Sequence, residues 1–218
     1  MKQARAARTR DALVRAAASE FDRDGYDGAS LTRISRTAGV SMGALTFHFS
    51  SKEQLADVVR AQGEAITRRV VARVTEGGEP PLNAAVALTL ALVGLLEDEV
   101  LVRAAARLAR ERQTGPPDAW IAMWAPVLLE QLRATPQELR SGVDPAAVAS
   151  LCVLLVRGAE ICVRENVTTP GSPPQDAVGQ LTAAWRLILN GVTAASATAA
   201  DPSGEAHGHP PSRCTELT

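Results

Sequence analysis

The sequence predicts an all-α fold, and three features of its 218 residues indicate this. Aromatic residues make up only 3% of the chain, and no stretch alternates apolar and polar residues for long, so the usual signals of β-strands are nearly absent. Segments rich in Ala, Leu and Arg carry apolar residues at helical spacing, and Gly and Pro separate these segments. A chain of this length can form one large domain, or one small and one medium domain.

The N-terminal part predicts a compact group of helices. The first runs from about Ala4 to Arg23, and Gly25 and Gly28 end it. Ser30 precedes the second helix as its N-cap. The inward-facing residues of these two helices are predicted to be Ala7, Leu13, Val14, Ala17, Phe21, Leu31, Ile34 and Ala38.

A tight turn separates the second helix from the third. Gly39 can supply the backbone of the turn, and Val40 can fill the space between the two helices. Ser41 stands where an N-cap belongs, so the third helix is predicted from Met42 to His48. A short helix that is held rigidly at the surface can enter the major groove of DNA.

Longer helices are predicted for the rest of the chain. The fourth begins with Ser51 as its N-cap, with Gln54 completing a capping box, and it ends near Thr75. The remaining helices are predicted at about 82–96, 100–112, 118–133 with a kink at Pro126, 145–165 and 175–195. The last two are more apolar than one small core requires, which predicts a helix-bundle dimer interface.

We expect three parts along the chain: a helix-turn-helix head at 1–53, a helical body at 54–198, and a disordered tail at 199–218. Residues 1–53 hold nine Lys/Arg and six Asp/Glu, a balance of +3. The other 165 residues hold fourteen and eighteen, a balance of −4. A basic head on an acidic body suits a chain that touches a polyanion at one end only.

The sequence also predicts the compartment. Its three cysteines, Cys152, Cys162 and Cys214, lack the spacings of a disulfide framework and are typical of free thiols in a reducing cytoplasm. No run looks long and charge-free enough to span a bilayer, and the N-terminus lacks the apolar core of a secretory signal. We therefore expect a cytoplasmic protein with no membrane partner.

Enzymatic and metal chemistry have little support in the sequence. No histidine lies between residues 49 and 206, so a Ser–His or Cys–His catalytic pair inside the body is not expected. His207, His209 and Cys214 lie in a Pro-rich tail without the ligand spacing of a zinc finger. No Gly-rich phosphate loop follows a strand. We expect no enzyme, no metal and no cofactor, with a helical-bundle enzyme kept as the rival from another class.

The segment GYDGASLTRISRTAGVSMGALTFHFSSKEQL resembles the N-terminal signature of the TetR family of one-component bacterial repressors. This resemblance covers about 50 residues. The wording GALTFHF, Trp120 followed by VLLEQL, and Trp185 followed by LILNG look like the γ-butyrolactone receptor branch, which regulates antibiotic production in filamentous actinobacteria. Many relatives have Lys at the position of Met42 and Tyr at the position of Thr46, so this chain lacks a cation and a phenol there.

The resemblance implies a homodimeric repressor that binds a pseudo-palindromic double-stranded DNA operator and is released by a small, mostly apolar effector of the γ-butyrolactone type. A pseudo-receptor that answers to an antibiotic, or to no lactone, is the alternative within the family. Candidate DNA contacts are Arg5, Thr32, Arg33, Ser41, Met42, Gly43, Thr46, Phe47, His48 and Lys52. For Arg5 a solvated surface is an equal alternative, and Phe47 can equally support the core.

The effector site is predicted in the body. A tryptophan on an amphipathic helix is by default a core residue. The resemblance instead places Trp120 in the lactone pocket, with Trp124 sharing or sealing it. Gln62 and Thr89 are candidate hydrogen-bond partners of a mostly apolar ligand.

Overall fold

The structure, a computed structural model, describes residues 2–111, 118–134, 137–165 and 176–192, and in these ranges it contains helices and no strand. The all-α prediction is confirmed. Within the described ranges the helices are α1 Lys2–Gly28, α2 Leu31–Thr37, α3 Met42–His48, α4 Lys52–Thr75, α5 Pro81–Asp98, α6 Val100–Glu111, α7 Ala119–Ala122, α8 Ala125–Arg133, α9 Pro145–Glu165 and α10 Ala177–Val192. The predicted tail at 199–218, with His207, His209 and Cys214, lies outside the described residues.

Local capping defines the helix-turn-helix as the sequence predicts. Ser30 accepts a hydrogen bond from the backbone N–H of Arg33 at the start of α2, and Ser41 accepts one from Ala44 at the start of α3. Gly39 adopts φ 66° in the turn between them, which a side chain would strain. The predicted bounds of α3 are confirmed.

The first helix is longer than predicted, and its helical geometry breaks at Gly25, which has φ 73° and ψ −178°. The core begins at Leu13, which is fully buried. Ala7 is exposed, so its predicted inward position is wrong. The reason is that the first turns of α1 extend beyond the helices against which the rest of α1 packs.

The core of the head continues into the body. Phe21, Ile34, Leu45 and Phe49 pack in one cluster and have at most 1% of their surface exposed. The same cluster includes residues of α4 and α6: Leu55, Ala56, Val59, Ala104 and Leu108. The position of the head is thus tied to α4 and α6, and the division of the chain at residue 53 stays a prediction.

Helices α4 and α6 cross at very close range. Gly63 of α4 lies against Leu101 of α6 so closely that an added Cβ would meet the Leu101 carbonyl oxygen at 2.3 Å. Only glycine permits this approach of two backbones. At the start of α4, Ser51 caps the backbone N–H of Gln54 as predicted, but Gln54 Oε1 accepts the N–H of Ser50, so the capping box is shifted by one residue.

The predicted single helix at 118–133 is wrong, because two helices, α7 and α8, occupy this range. The interruption falls at Met123 and Trp124, and Pro126 lies in the first turn of α8. Proline lacks the N–H that a first turn would leave unpaired, so it starts this helix rather than kinking it. The start of α9 follows the prediction, since Asp144 Oδ1 accepts the backbone N–H of Ala146 at 2.9 Å.

Two helices are long and apolar enough to cross a membrane by length and composition alone, α5 with mean hydropathy 1.4 and α9 with 2.0. The expectation that no run meets these limits is therefore wrong. Core helices of soluble proteins pass the same test, so this is weak evidence for a membrane. In α9 the fully buried Glu160 is held by arginines, which indicates packing against protein.

Candidate functional site

The exposed face of α3 is a narrow arc of four residues. Met42, Gly43, Thr46 and Phe47 are exposed, whereas Ala44 and His48 are half-buried and Leu45 is fully buried. At about 100° per residue, the exposed residues cover an arc of about 140° in the order 42, 46, 43, 47. They are the residues that the sequence predicts for the DNA-facing edge.

The hydroxyl groups of Ser41, which caps α3, and of Thr46, which lies on this arc, already make local hydrogen bonds. Ser41 Oγ accepts the backbone N–H of Ala44 at 3.2 Å. Thr46 Oγ1 donates to the Gly43 carbonyl oxygen at 3.1 Å. Each oxygen keeps acceptor capacity for a further partner.

Gly43 has no packing reason to be a glycine. A Cβ added there would meet, at the nearest, Ser41 Oγ at 4.0 Å, which is ordinary van der Waals contact. A glycine inside a helix costs about 1 kcal/mol relative to alanine. The fold therefore tolerates a side chain at this position. The absence of one leaves space at the surface of α3 for a partner molecule.

Two predicted DNA contacts instead make contacts within the head. The Arg33 guanidinium forms ion pairs with Glu20 at 2.7 Å and Asp24 at 2.5 Å, and it donates to the Gly28 carbonyl oxygen. A hydrogen bond from Arg23 lowers the pKa of the Asp24 carboxyl, which keeps that carboxylate charged. Arg33 thus ties α2 to α1.

Lys52 has a similar internal role. Its Nζ donates to the carbonyl oxygens of Tyr26 at 2.8 Å and Ala29 at 3.2 Å. It also lies 4.4 Å from the centroid of the Tyr26 ring, a cation–π contact. This ammonium group joins the start of α4 to the end of α1, an interaction that residue spacing alone could not predict.

The other predicted head residues are accessible. Arg5 and Thr32 are exposed. His48 is half-buried, and its ring makes an edge contact with the Phe47 ring, with 5.2 Å between the two ring centroids. Arg36, which is not among the predicted contacts, is an exposed cation in the last turn of α2, and the described residues supply no ion-pair partner for it. The sequence feature that could have identified Arg36 is a cation five residues before Ser41, the N-cap of α3.

In the body, Trp120 and Trp124 are both fully buried, with ring centroids 5.8 Å apart in an edge contact. Trp120 Nε1 donates to Thr67 Oγ1 at 3.1 Å, and Thr67 in turn donates to the carbonyl oxygen of Gly63. Trp120 is thereby linked to the α4–α6 crossing. Thr67 was missed because the contact spans 53 residues.

The indole N–H of Trp124 is buried, and no acceptor for it exists among the described residues. A buried donor without a partner costs about 1–3 kcal/mol, so such groups usually meet a ligand or a water molecule. The ring that carries this donor is in contact with the Trp120 ring.

In the part of the chain that the structure describes, Thr89 and Gln62, the predicted hydrogen-bond partners of the ligand, do not bind the two tryptophans of the predicted effector site. Thr89 accepts Trp185 Nε1 at 2.7 Å and donates to the Val86 carbonyl oxygen, so it supports a third tryptophan. Gln62 is half-buried on α4. Within the described ranges, neither residue has a hydrogen bond to Trp120 or Trp124.

An apolar groove of about 290 Å³ lies between α9 and α10. It is lined by Leu154, Leu155, Gly158, Ala159, Cys162, Ala177, Gln180, Leu181 and Ala184. Neither tryptophan of the predicted effector site lines it. Burial raises the pKa of the nearby Cys152 thiol to about 12, so that thiol stays protonated at neutral pH.

Helix α6 clamps the end of α1 through charged groups. Arg103 forms an ion pair with Asp22 at 2.7 Å, and Arg107 donates to the Asp22 carbonyl oxygen at 2.7 Å. Glu111, the last residue of α6, accepts the backbone N–H of Tyr26 at 2.8 Å. These contacts join the end of α1 in the head to α6.

Comparison with known proteins identifies the family. The family model for bacterial regulatory proteins of the tetR family matches residues 13–59, which span the helix-turn-helix and its capping residues. The A-factor receptor protein of Streptomyces griseus is 32% identical over 191 residues, which are 86% of this chain. The chain belongs to the TetR family of bacterial regulatory proteins. It spans 65% of the length of the A-factor receptor.

Solved structures agree with this assignment. CprB, a TetR-family protein from Streptomyces coelicolor, superposes with a TM-score of 0.72 at 28% identity, covering 88% of this chain and 92% of CprB. A γ-butyrolactone receptor described as ArpA-like superposes with a TM-score of 0.68 at 26% identity, covering 87% and 90%. This TetR-family chain is thus related to the γ-butyrolactone receptors.

Proposed function

We propose that this protein is a cytoplasmic, homodimeric transcriptional repressor that binds a pseudo-palindromic double-stranded DNA operator through α3. The observation that carries the proposal is the exposed arc from Met42 to Phe47, with a glycine in its middle that the fold does not need. A two-fold dimer presents two such helices to successive major-groove faces of one operator. CprB has been studied in complex with its biological operator sequence, which supports this use of the fold.

The proposed DNA surface differs from the predicted one at three positions. Arg33 and Lys52 are excluded, because their cationic groups are already bound within the head. Arg36 is added as a phosphate contact. The surface then consists of Arg5, Thr32, Arg36, Ser41, Met42, Gly43, Thr46, Phe47 and His48.

For the dimer we propose the faces of α9 and α10. Leu154 and Leu187 are 68% and 76% exposed, and the apolar groove lies between the same two helices. A surface of this kind is costly to leave in water, and a second copy would bury it. An isologous four-helix contact of these helices satisfies two-fold symmetry.

The proposed effector is small and mostly apolar, with a hydrogen-bond acceptor such as a lactone carbonyl. Trp120 serves as an apolar wall, because Thr67 already accepts its N–H. The unpaired N–H of Trp124 is the donor that a carbonyl oxygen would use. The γ-butyrolactone receptor among the related structures supports this ligand class.

Effector binding beside Trp120 would act on the head through two connections. Thr67 and Gly63 couple Trp120 to the α4–α6 crossing, and the charged clamp at Asp22 couples α6 to α1. A ligand can release the repressor only to the extent that it binds the DNA-free arrangement more tightly than the DNA-bound one.

One experiment tests both parts of the proposal. Operators are selected from a pool of random duplexes with the full chain, and candidate lactones are then titrated into the complex in a mobility-shift assay. We expect a palindromic consensus and release by a lactone. The Trp124→Phe variant should bind the operator normally but need more lactone for release, because it lacks the N–H donor and keeps the ring. If selection yields no consensus, the proposed function is wrong.

A repressor that answers to no lactone is the second candidate. Both Trp120 and Trp124 are fully buried, and the groove of about 290 Å³ lies elsewhere in the body. Such a protein would give a consensus operator in the same selection, while no lactone would release it. An enzyme is not proposed, since the related proteins are TetR-family regulators.

A further inference from the structure

Large apolar side chains are exposed at only two places in the described residues. Met42 (39% exposed) and Phe47 (83% exposed) lie on α3. The others lie on α9 and α10, the faces assigned to the dimer: Leu151, Leu154, Ile161 and Leu187. Exposed apolar groups that cluster on one element mark binding surfaces. The two on α3 therefore need a partner of their own.

Helix α3 lacks the side chains that usually identify purines. Its sequence, MGALTFH, contains no Arg or Lys for guanine and no Asn or Gln for adenine. The hydroxyl proton of Thr46 is already engaged within the helix, because Thr46 Oγ1 donates to the Gly43 carbonyl oxygen. Direct recognition by hydrogen bonds is thus limited on this helix.

The geometry favours an apolar partner in the groove. Met42 and Phe47 stand at the two edges of the exposed arc, with Gly43 and Thr46 between them. The glycine leaves no side chain to hold the helix away from the floor of the groove. The C5-methyl of thymine is the apolar group that an unmodified base pair presents in the major groove.

We propose that Met42 and Phe47 recognise thymine C5-methyl groups, so that each operator half-site has thymine at two positions determined by these side chains. Sequence preference then comes from methyl burial, while Arg36 and the other exposed cations of the head supply affinity for phosphate. This inference rests on the proposed function, and it names the chemical group that the same surface binds.

The test replaces single thymines of the selected operator by uracil, which removes the methyl group and keeps base pairing. Burial of one methyl group corresponds to about a fourfold change in affinity. We expect this loss for the wild-type chain at two positions per half-site. The Met42→Ala variant should lose the uracil penalty at one position and Phe47→Ala at the other.

The matched control is Arg36→Ala, which should bind every duplex more weakly and keep the uracil penalties unchanged. Since Phe47 is 83% exposed, its truncation should leave the melting temperature unchanged, and circular dichroism checks that the variants are folded. If the wild-type chain binds its consensus but is indifferent to uracil, this inference is overturned and the proposed function survives. The inference is also overturned if both alanine variants keep the full penalty. Loss of all sequence preference would instead overturn the proposed function itself.

Discussion

Replacing Gly43 by alanine should raise the stability of the fold and weaken operator binding. The added Cβ has ordinary contact only, with Ser41 Oγ at 4.0 Å, so the fold has room for it. Alanine is better than glycine within a helix by about 0.5–1 kcal/mol. For a chain of this size the melting temperature should rise by about 1–4 °C.

The same methyl group should weaken the binding of α3 to DNA. If α3 lies in the major groove with its glycine against the duplex, the Cβ overpacks that contact at a cost of about 1–3 kcal/mol per head. Because the dimer has two heads, the total cost is at least about 2 kcal/mol, and affinity for the selected operator should fall at least about thirtyfold. Scanning calorimetry gives the first quantity, and fluorescence anisotropy with a labelled duplex gives the second.

Gly94→Ala is the matched control. Gly94 lies within α5, and an added Cβ there meets Val178 Cγ2 at 3.7 Å, which is again ordinary contact. This variant should be stabilised to a similar degree and bind DNA as the wild type does. If Gly43→Ala also binds like the wild type, the exposed arc of α3 is not buried on DNA and the reasoning about this glycine is wrong.

Three further predictions concern the body and its clamp. Gly63→Ala would place a Cβ 2.3 Å from the Leu101 carbonyl oxygen, so α4 must move away from α6. The free energy of unfolding, measured by denaturant titration, should fall by about 1–3 kcal/mol. An unchanged unfolding midpoint would contradict the close approach of the two helices. Asp22→Asn removes the ion pair with Arg103 and should lower the free energy of unfolding by about 1–2 kcal/mol. It should also make operator binding less sensitive to the effector. Unchanged sensitivity would show that the contacts between α6 and Asp22 do not couple head and body. Cys152 should resist alkylation at pH 8 in the native protein and react after denaturation, as peptide mapping can check. Because its folded pKa of about 12 exceeds the ordinary value of 9.0, its contribution to stability is complete below about pH 9 and is lost as the pH rises towards 12.

Local features of the head could be predicted from the sequence. The N-caps at Ser30, Ser41 and Ser51 and the turn at Gly39 depend on interactions between residues at most three positions apart. For this reason the bounds of α3 and the exposure of Met42, Gly43 and Thr46 follow from the pattern alone. The exposure of Phe47 does not follow, because the pattern leaves this residue open between a DNA contact and support of the core.

Long-range partners could not be predicted in this way. Arg33 and Lys52 look like free surface cations in the sequence, yet carboxylates and carbonyl oxygens from α1 and the turn after it bind them. The bond from Trp120 to Thr67 and the clamp on Asp22 join residues that are 53 and 81 positions apart. Spacing along the chain contains no information about such pairs, because they depend on how the helices pack.

The most direct test of the central claim compares two duplexes of equal length: the selected operator and a scrambled sequence of the same composition. Binding of the full chain to each is measured by fluorescence anisotropy over a range of salt concentrations. At moderate salt we expect the operator to bind at least about 1,000-fold more tightly, with both affinities falling as salt rises. Equal affinity for the two duplexes would contradict the account, since α3 would then not distinguish one DNA sequence from another.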